Sequence, residues 1–237
     1  MAEPPPRAPG FWQRRRRQED REGRAPIEMG RLHAFTDGVF AIAATLLVLE
    51  LRVPELAAGL SARAQEGALL RGLAALWPQL LAFLLSFVLI GRMWVLHSRF
   101  TWGLTRADGR LGQLNVLYLI TISLLPFSSA LLGAHGNLRL GWWVYCLNLI
   151  LMELCYLRLL AYARQHGGAS PASQRRWQDS GVQAWAALAV FVASAGIALW
   201  NVTVAECSML LLIPMGWLVD GSREPVAEEE GEGAPGR

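Results

Sequence analysis

An all-α, multi-spanning membrane protein with no separate soluble domain is the fold class this sequence predicts, on three observations. Hydrophobic residues make up 53% of the chain and its mean hydropathy is positive, too apolar for an ordinary soluble domain of this length. Three long runs carry no Asp, Glu, Lys or Arg: 72–91, 111–138 and 181–205, each long enough for the roughly 20 apolar residues a bilayer crossing takes. Arginine-bearing polar segments separate these runs, as loops at the membrane surface should.

Taken in order, residues 1–30 are rich in Arg and Pro and predict a disordered cytoplasmic arm. The first helix is expected from His33 to Val53. Only twelve uncharged residues lie between Asp37 and Glu50, about 18 Å of helix, so a crossing must carry Asp37 to membrane depth, facing protein or water. Residues 52–72, with Pro54, Gly59 and Gly67, read as a connector. The second helix is built on the uncharged interval between Arg71 and Arg92, with Pro78 near its start and Trp94 and His97 at its C-terminal end. A third is expected over 112–132, kinked at Pro126, with Ser128 and Ser129 placed to cap freed carbonyls. The fourth spans Leu140–Tyr162 and carries Glu153, too deep to reach the interface without a partner or water, and Arg158, which can snorkel. Residues 164–180 read as a polar loop, Gly181–Ala205 as the fifth helix, and Cys207–Val219, containing Pro214, as a short sixth. A six-helix unit over 31–220 is thus followed by a disordered acidic tail at 221–237.

Counting Arg fixes the orientation. Eighteen fall on the side of the termini and four, Arg52, Arg63, Arg71 and Arg139, on the other; the excess belongs in the cytoplasm. Arginine supplies all 22 basic residues, a bias of GC-rich bacterial genomes. The run Arg14–Arg17 would favour anionic lipid, a closer partner than nucleic acid, since no aromatics interleave it. Cys146, Cys155 and Cys207 lie in apolar stretches without paired spacing and read as buried free thiols. His33, His97, His135 and His166 stand singly, and no phosphate loop, zinc-binding helix or nucleophile elbow occurs. Neither an enzyme nor a cofactor or metal site is expected.

Within the first helix Phe35, Val39, Ile42, Leu46 and Leu49 recur at helical spacing, and Thr45 is the only polar side chain in the apolar run. The face Ile42, Thr45, Leu46, Leu49 fits a packed core stripe, with Thr45 bonded back to a carbonyl one turn earlier, or a narrow apolar pore lining. Trp94 and His97 point the same way at i, i+3; they read either as an interfacial belt or as partners of Asp37 and Arg31. Asn115 lies at His97's depth if the intervening loop is short.

The stretch Arg31, Phe35, Thr36, Asp37, Gly38, Val39, Phe40, Ala41, Ile42 resembles the first-helix signature R-x-x-x-F-S-D-G-V-F-A-I of the transmembrane-protein-175 family of potassium channels, with Thr36 in place of the usual Ser. Ser86–Phe100 resembles that family's second helix, ending in W-x-x-H, and Leu114–Phe127 its third. The resemblance implies a homotetrameric cation channel of the bacterial, single-repeat type. Four copies of the first helix would surround a central pore, with Ile42 as the constriction, Leu46 and Leu49 as further apolar rings and Thr45 as a hydroxyl ring. Potassium would be the permeant ion, modestly preferred over sodium because it sheds hydration water at lower cost. Arg31, Phe35, Thr36, Asp37, Trp94, His97 and Asn115 are then expected to form a structural polar cluster. The other function classes are a transporter whose Asp37 or Glu153 binds a coupling proton, a proton-permeable leak channel, and a non-conducting scaffold.

Overall fold

The computed structural model describes residues 26–59, 61–104, 106–166 and 170–209. Chain order is β1 (Pro26–Ile27), α1 (Met29–Leu46) tightening into a 3-10 turn (Leu47–Glu50), α2 (Ala62–Ala75), α3 (Trp77–Trp102), β2 (Ala107–Asp108), α4 (Gly109–Ser123), α5 (Leu125–His135), α6 (Arg139–His166), α7 (Pro171–Ile197) and α8 (Val202–Met209). Among the described residues five segments are long and apolar enough to cross a bilayer: Met29–Glu50, Trp77–Trp102, Gly109–His135, Arg139–His166 and Pro171–Ile197.

The bundle is built on α6, whose Trp142, Tyr145, Leu149, Met152, Tyr156 and Leu159 are completely buried between α7, α4 and α5. Large rigid side chains on one helix give van der Waals packing, the main attraction between helices already in an apolar solvent. α4 joins α6 to α1, which also leans on α3. Among the described residues one face of α1 is covered, through Leu32, Thr36, Phe40, Ala43 and Leu47, spaced by three or four as one side of a helix requires. Of the apolar window of α1 28% is buried, against 39–56% in the other four spans.

Several boundaries differ from expectation. Pro26–Ile27 pairs antiparallel with Ala107–Asp108 and α1 starts at Met29, so the end of the segment expected as an arm is ordered; residues 1–25, including Arg14–Arg17, lie outside the described residues. The connector contains α2, where Gly72 lets Pro54 approach so closely that a Cβ would sit 2.5 Å from the proline ring. Arg92 lies inside α3, which carries Trp94 and His97 as expected and runs on to Trp102. The third span breaks at Leu124, and Pro126 sits in the first turn of α5, where its missing N–H costs nothing. Ser128 donates to Leu125 O and Ser129 to Ala82 O, a carbonyl of α3, so neither caps the carbonyl freed by Pro126. The polar stretch 164–180 is largely helical, since Ser170 caps the start of α7 and Pro171 opens it; α7 ends at Ile197, eight residues before the predicted Ala205. The expected sixth span begins inside α8 and continues, like the tail, outside the described residues. The three cysteines are free, Cys146 buried, Cys155 half-buried and Cys207 exposed.

Candidate functional site

The site is built on α1, which presents two unlike sides. Toward the bundle, Thr36 Oγ1 accepts a 2.9 Å hydrogen bond from Asn115 Nδ2, and Asn115 Oδ1 lies 2.7 Å from His97 Nε2. All three side chains are buried. One residue on, Asp37 turns about 100° around the helix and accepts a 2.9 Å bond from Trp94 Nε1 at the exposed edge between α1 and α3. Trp94 therefore binds α1 directly at Asp37, on the exposed edge, whereas His97 reaches the neighbouring Thr36 only through the buried Asn115 of α4. Rings pack around the triad: His97 stacks on Tyr118 with centroids 5.5 Å apart, and Phe40 lies 6.0 Å from His97.

Away from the bundle, α1 is bare among the described residues. Phe35 is 57% exposed, Ile42 61%, Leu46 42% and Leu49 71%, so this stripe is not a packed core inside the subunit. Thr45, on the same face, donates its hydroxyl proton to Ile42 O at 2.9 Å. The back-bond expected of a packed Thr is thus present on an unpacked face. Its oxygen lone pairs remain directed outward.

Of the residues expected in the polar cluster, Thr36, His97 and Asn115 come together in one group and Asp37 with Trp94 in an adjoining one. Arg31 and Phe35 do not join them. They lie on the exposed side, lining an open depression with Ile27, Glu28, Gln113 and Val116, because Arg31 falls on the same face as Ile42 and Leu49 at 100° per residue. A lateral groove of about 390 Å³ runs beside Asp37 between Phe40, Ala41, Ala44 and the α3 residues Phe87, Gly91 and Trp94.

Two polar features escaped sequence reasoning. Ser86, Ser129 and Tyr145 form a buried hydroxyl cluster, with Ser86 donating to Ser129 at 2.8 Å, and Asn148 bonds Ser128 at 3.2 Å. Single Ser and Asn in apolar runs give no sign of their partners; only the helix pairing shows them. Asp108 is the other. It caps α4 by accepting from Leu111 N at 2.8 Å and takes a 2.6 Å bond from the Tyr162 hydroxyl of α6, clamping the N-terminal ends of α1 and α4 to the C-terminal end of α6 through the β1–β2 pair.

Residues 31–126 match the family described as endosomal/lysosomal potassium channel TMEM175, a family of ion channels and not of enzymes. A potassium channel of Chamaesiphon minutus is 39% identical over 139 residues, 57% of this chain and 66% of its own length. One of Streptomyces collinus is 42% identical over 108 residues, 46% and 49%. The endosomal/lysosomal proton channel TMEM175 of Mus musculus is 36% identical over 110 residues, 44% of this chain and 21% of that one. The match thus spans between about a half and two thirds of these bacterial relatives. Among solved structures, a lysosomal potassium-selective channel TMEM175 homolog from Chamaesiphon minutus superposes with a TM-score of 0.68 at 30% identity, over 80% of this chain and 96% of that one. A shared helical architecture over almost all of that structure, and a first-helix motif inside the matched segment, establish that this chain is a multi-pass helical membrane protein and belongs to the TMEM175 family.

Proposed function

We propose that this chain forms a cation channel in which the bare face of α1, contributed by four copies, lines a central pore. The observation that carries the reading is the contrast between the two sides of α1: one is locked to α3 and α4 by the Thr36–Asn115–His97 triad, while the other holds Ile42, Thr45, Leu46 and Leu49 uncovered. A ring of Ile42 side chains narrows such a pore and gates it by dewetting. Thr45 supports passage of cations over anions. Its proton is committed to Ile42 O, so a ring of Thr45 presents oxygen lone pairs, a replacement for hydration water. Potassium, which holds water less tightly than sodium, is then modestly preferred.

Arginine asymmetry supports both termini in the cytoplasm and a place in the cell membrane, with Arg31 near the cytoplasmic mouth; the composition supports a bacterial source. Residues 1–25 act as a basic arm on anionic lipid through Arg14–Arg17, and potassium is the permeant ion of the channel unit, expected over 31–220.

Purified protein in a planar bilayer under opposed potassium and sodium gradients tests the reading. Expected is a current whose reversal potential favours potassium, and a larger, less selective current in Ile42→Ala. Absence of current in the wild type overturns the channel; an unchanged reversal potential and conductance in Ile42→Ala removes Ile42 from the pore.

A further inference from the structure

At the end of the bundle away from the β1–β2 pair, a cavity of about 710 Å³ has the size of a small-molecule site, roughly 300–1,000 Å³. Successive spans alternate in direction, so the end of the first, the start of the second and the end of the third meet at one membrane surface. Glu50, Trp77 and His135 mark that level, and Trp77, more than half exposed, sits where interfacial tryptophans belong. Glu50 and His135 line the mouth of the cavity together with Arg52, all three exposed. Leu51, between Glu50 and Arg52, is extended (φ −80°, ψ 95°), which turns both side chains to the same side. Ser129 lies six residues, about 9 Å of rise, below His135; it is buried and tied to Ser86 and to Ala82 O, closing the floor. Gln79 lies two residues inside the second span from Trp77, between mouth and floor. Gly133 lets α5 press against it, since a Cβ there would lie 3.0 Å from Gln79 Cα, and Gln79 Oε1 is buried without a hydrogen-bond partner. The rest of the wall is mainly apolar, and one part of it, Phe127, is 64% exposed. Phe127 stands eight residues, about 12 Å, below His135, so the cavity opens sideways at the depth of acyl chains as well as at the membrane surface.

A buried acceptor without a donor carries a free-energy cost, which a ligand supplying an N–H removes. A primary ammonium has three N–H donors, enough for the Glu50 carboxylate and Gln79 Oε1 at once. Arg52 offers a guanidinium fork, which matches phosphate. We propose that this cavity holds the headgroup of an ethanolamine phospholipid, with its ammonium on Glu50 and Gln79, its phosphate on Arg52 and its chains leaving past Phe127 into the bilayer. Net charge and donor count make the choice. A choline headgroup is equally zwitterionic, but its quaternary ammonium has no N–H for Gln79. A net anionic headgroup, such as phosphatidylglycerol, puts an uncompensated negative charge beside Glu50. A soluble zwitterion leaves Phe127 and the apolar wall uncovered. The cavity is lined by one chain, so the site rests neither on the pore reading nor on the number of copies.

The test uses the full-length protein purified in detergent, with lipid retention read by native mass spectrometry from equal mixtures of phosphatidylethanolamine, phosphatidylcholine and phosphatidylglycerol carrying the same chains. Wild type should retain the ethanolamine lipid about tenfold better than the choline lipid, the lower range of what one hydrogen bond to a charged group is worth. Glu50→Gln removes the charge and Gln79→Met removes the acceptor, each at nearly constant shape, and either should bring the ratio toward one. Gln79→Met decides the matter if Glu50→Gln does not assemble. Arg52→Gln should lower retention of both zwitterionic lipids and leave their ratio. A wild-type ratio near one, a preference for phosphatidylglycerol, or a ratio unchanged in the assembled variants overturns the site. Glycerophosphoethanolamine, the headgroup without chains, should not compete at equal concentration; if it does, the occupant is a soluble zwitterion and the lipid reading falls. Assembled protein that retains no ethanolamine lipid shows the side opening covered by a neighbouring copy, which overturns it as well.

Discussion

Replacing Asn115 with Leu tests the joint that holds α1 in place. Leu keeps the branched four-atom skeleton of Asn and is the bulkier of the two, so the change deletes hydrogen bonds without opening a cavity. Two bonds go, 2.7 Å to His97 Nε2 and 2.9 Å to Thr36 Oγ1, and both partners are 2% exposed. Side-chain hydrogen bonds between membrane helices are worth on average about 0.6 kcal/mol and at most about 1.7. The average gives about 1.2 kcal/mol for the pair. Burial of both orphaned groups pushes toward the upper value, about 3.4, whereas Thr36 recovers part by bonding a carbonyl one turn earlier. A loss of about 2 kcal/mol follows, read as a shift in the detergent-denaturation midpoint followed by Trp fluorescence. Because Thr36 and Asn115 act as one unit, Thr36→Val should add little on the Asn115→Leu background. A loss below about 0.5 kcal/mol, under one average bond, or full additivity of the two substitutions, refutes the joint.

Thr45→Val preserves shape and removes the outward lone pairs, so the potassium-to-sodium permeability ratio should fall toward unity while the protein still assembles; an intact ratio makes apolar girth the sole source of selectivity. Asp37→Ala removes the acceptor of the Trp94 indole N–H and should lower the yield of folded oligomer on size exclusion. Asp37→Asn retains an acceptor oxygen and should lower it less, and equal losses would show that the charge, not the bond, matters. Tyr162→Phe deletes the 2.6 Å bond to Asp108 and should cost about 0.5–1.5 kcal/mol in the same denaturation assay, with Asp108→Ala costing more because the cap of α4 goes too; a costless Tyr162→Phe would show that the clamp carries no load.

Sequence alone determined the membrane class and the existence of the five described spans, the last of them displaced by eight to ten residues at its ends. Long uncharged runs and helical periodicity are local properties, and the bilayer makes them decisive because every backbone group must be satisfied within its own helix. It also placed Asn115 beside His97, since equal depth on adjacent helices follows from a short loop. The polar start of α7 was misread because charge was taken to end a helix, while a capped first turn tolerates it. Only the tertiary structure decided which face of α1 is covered. Both of its sides are apolar at the same spacing, so periodicity describes a stripe without saying what lies against it; packing on α3 and α4 buried Leu32, Thr36, Phe40, Ala43 and Leu47 and left Ile42, Leu46 and Leu49 bare. The same packing separated Arg31 from Asp37 and gathered Glu153, Tyr118 and Arg92 from three helices, because contacts between helices depend on rotation about each axis, which no single segment encodes.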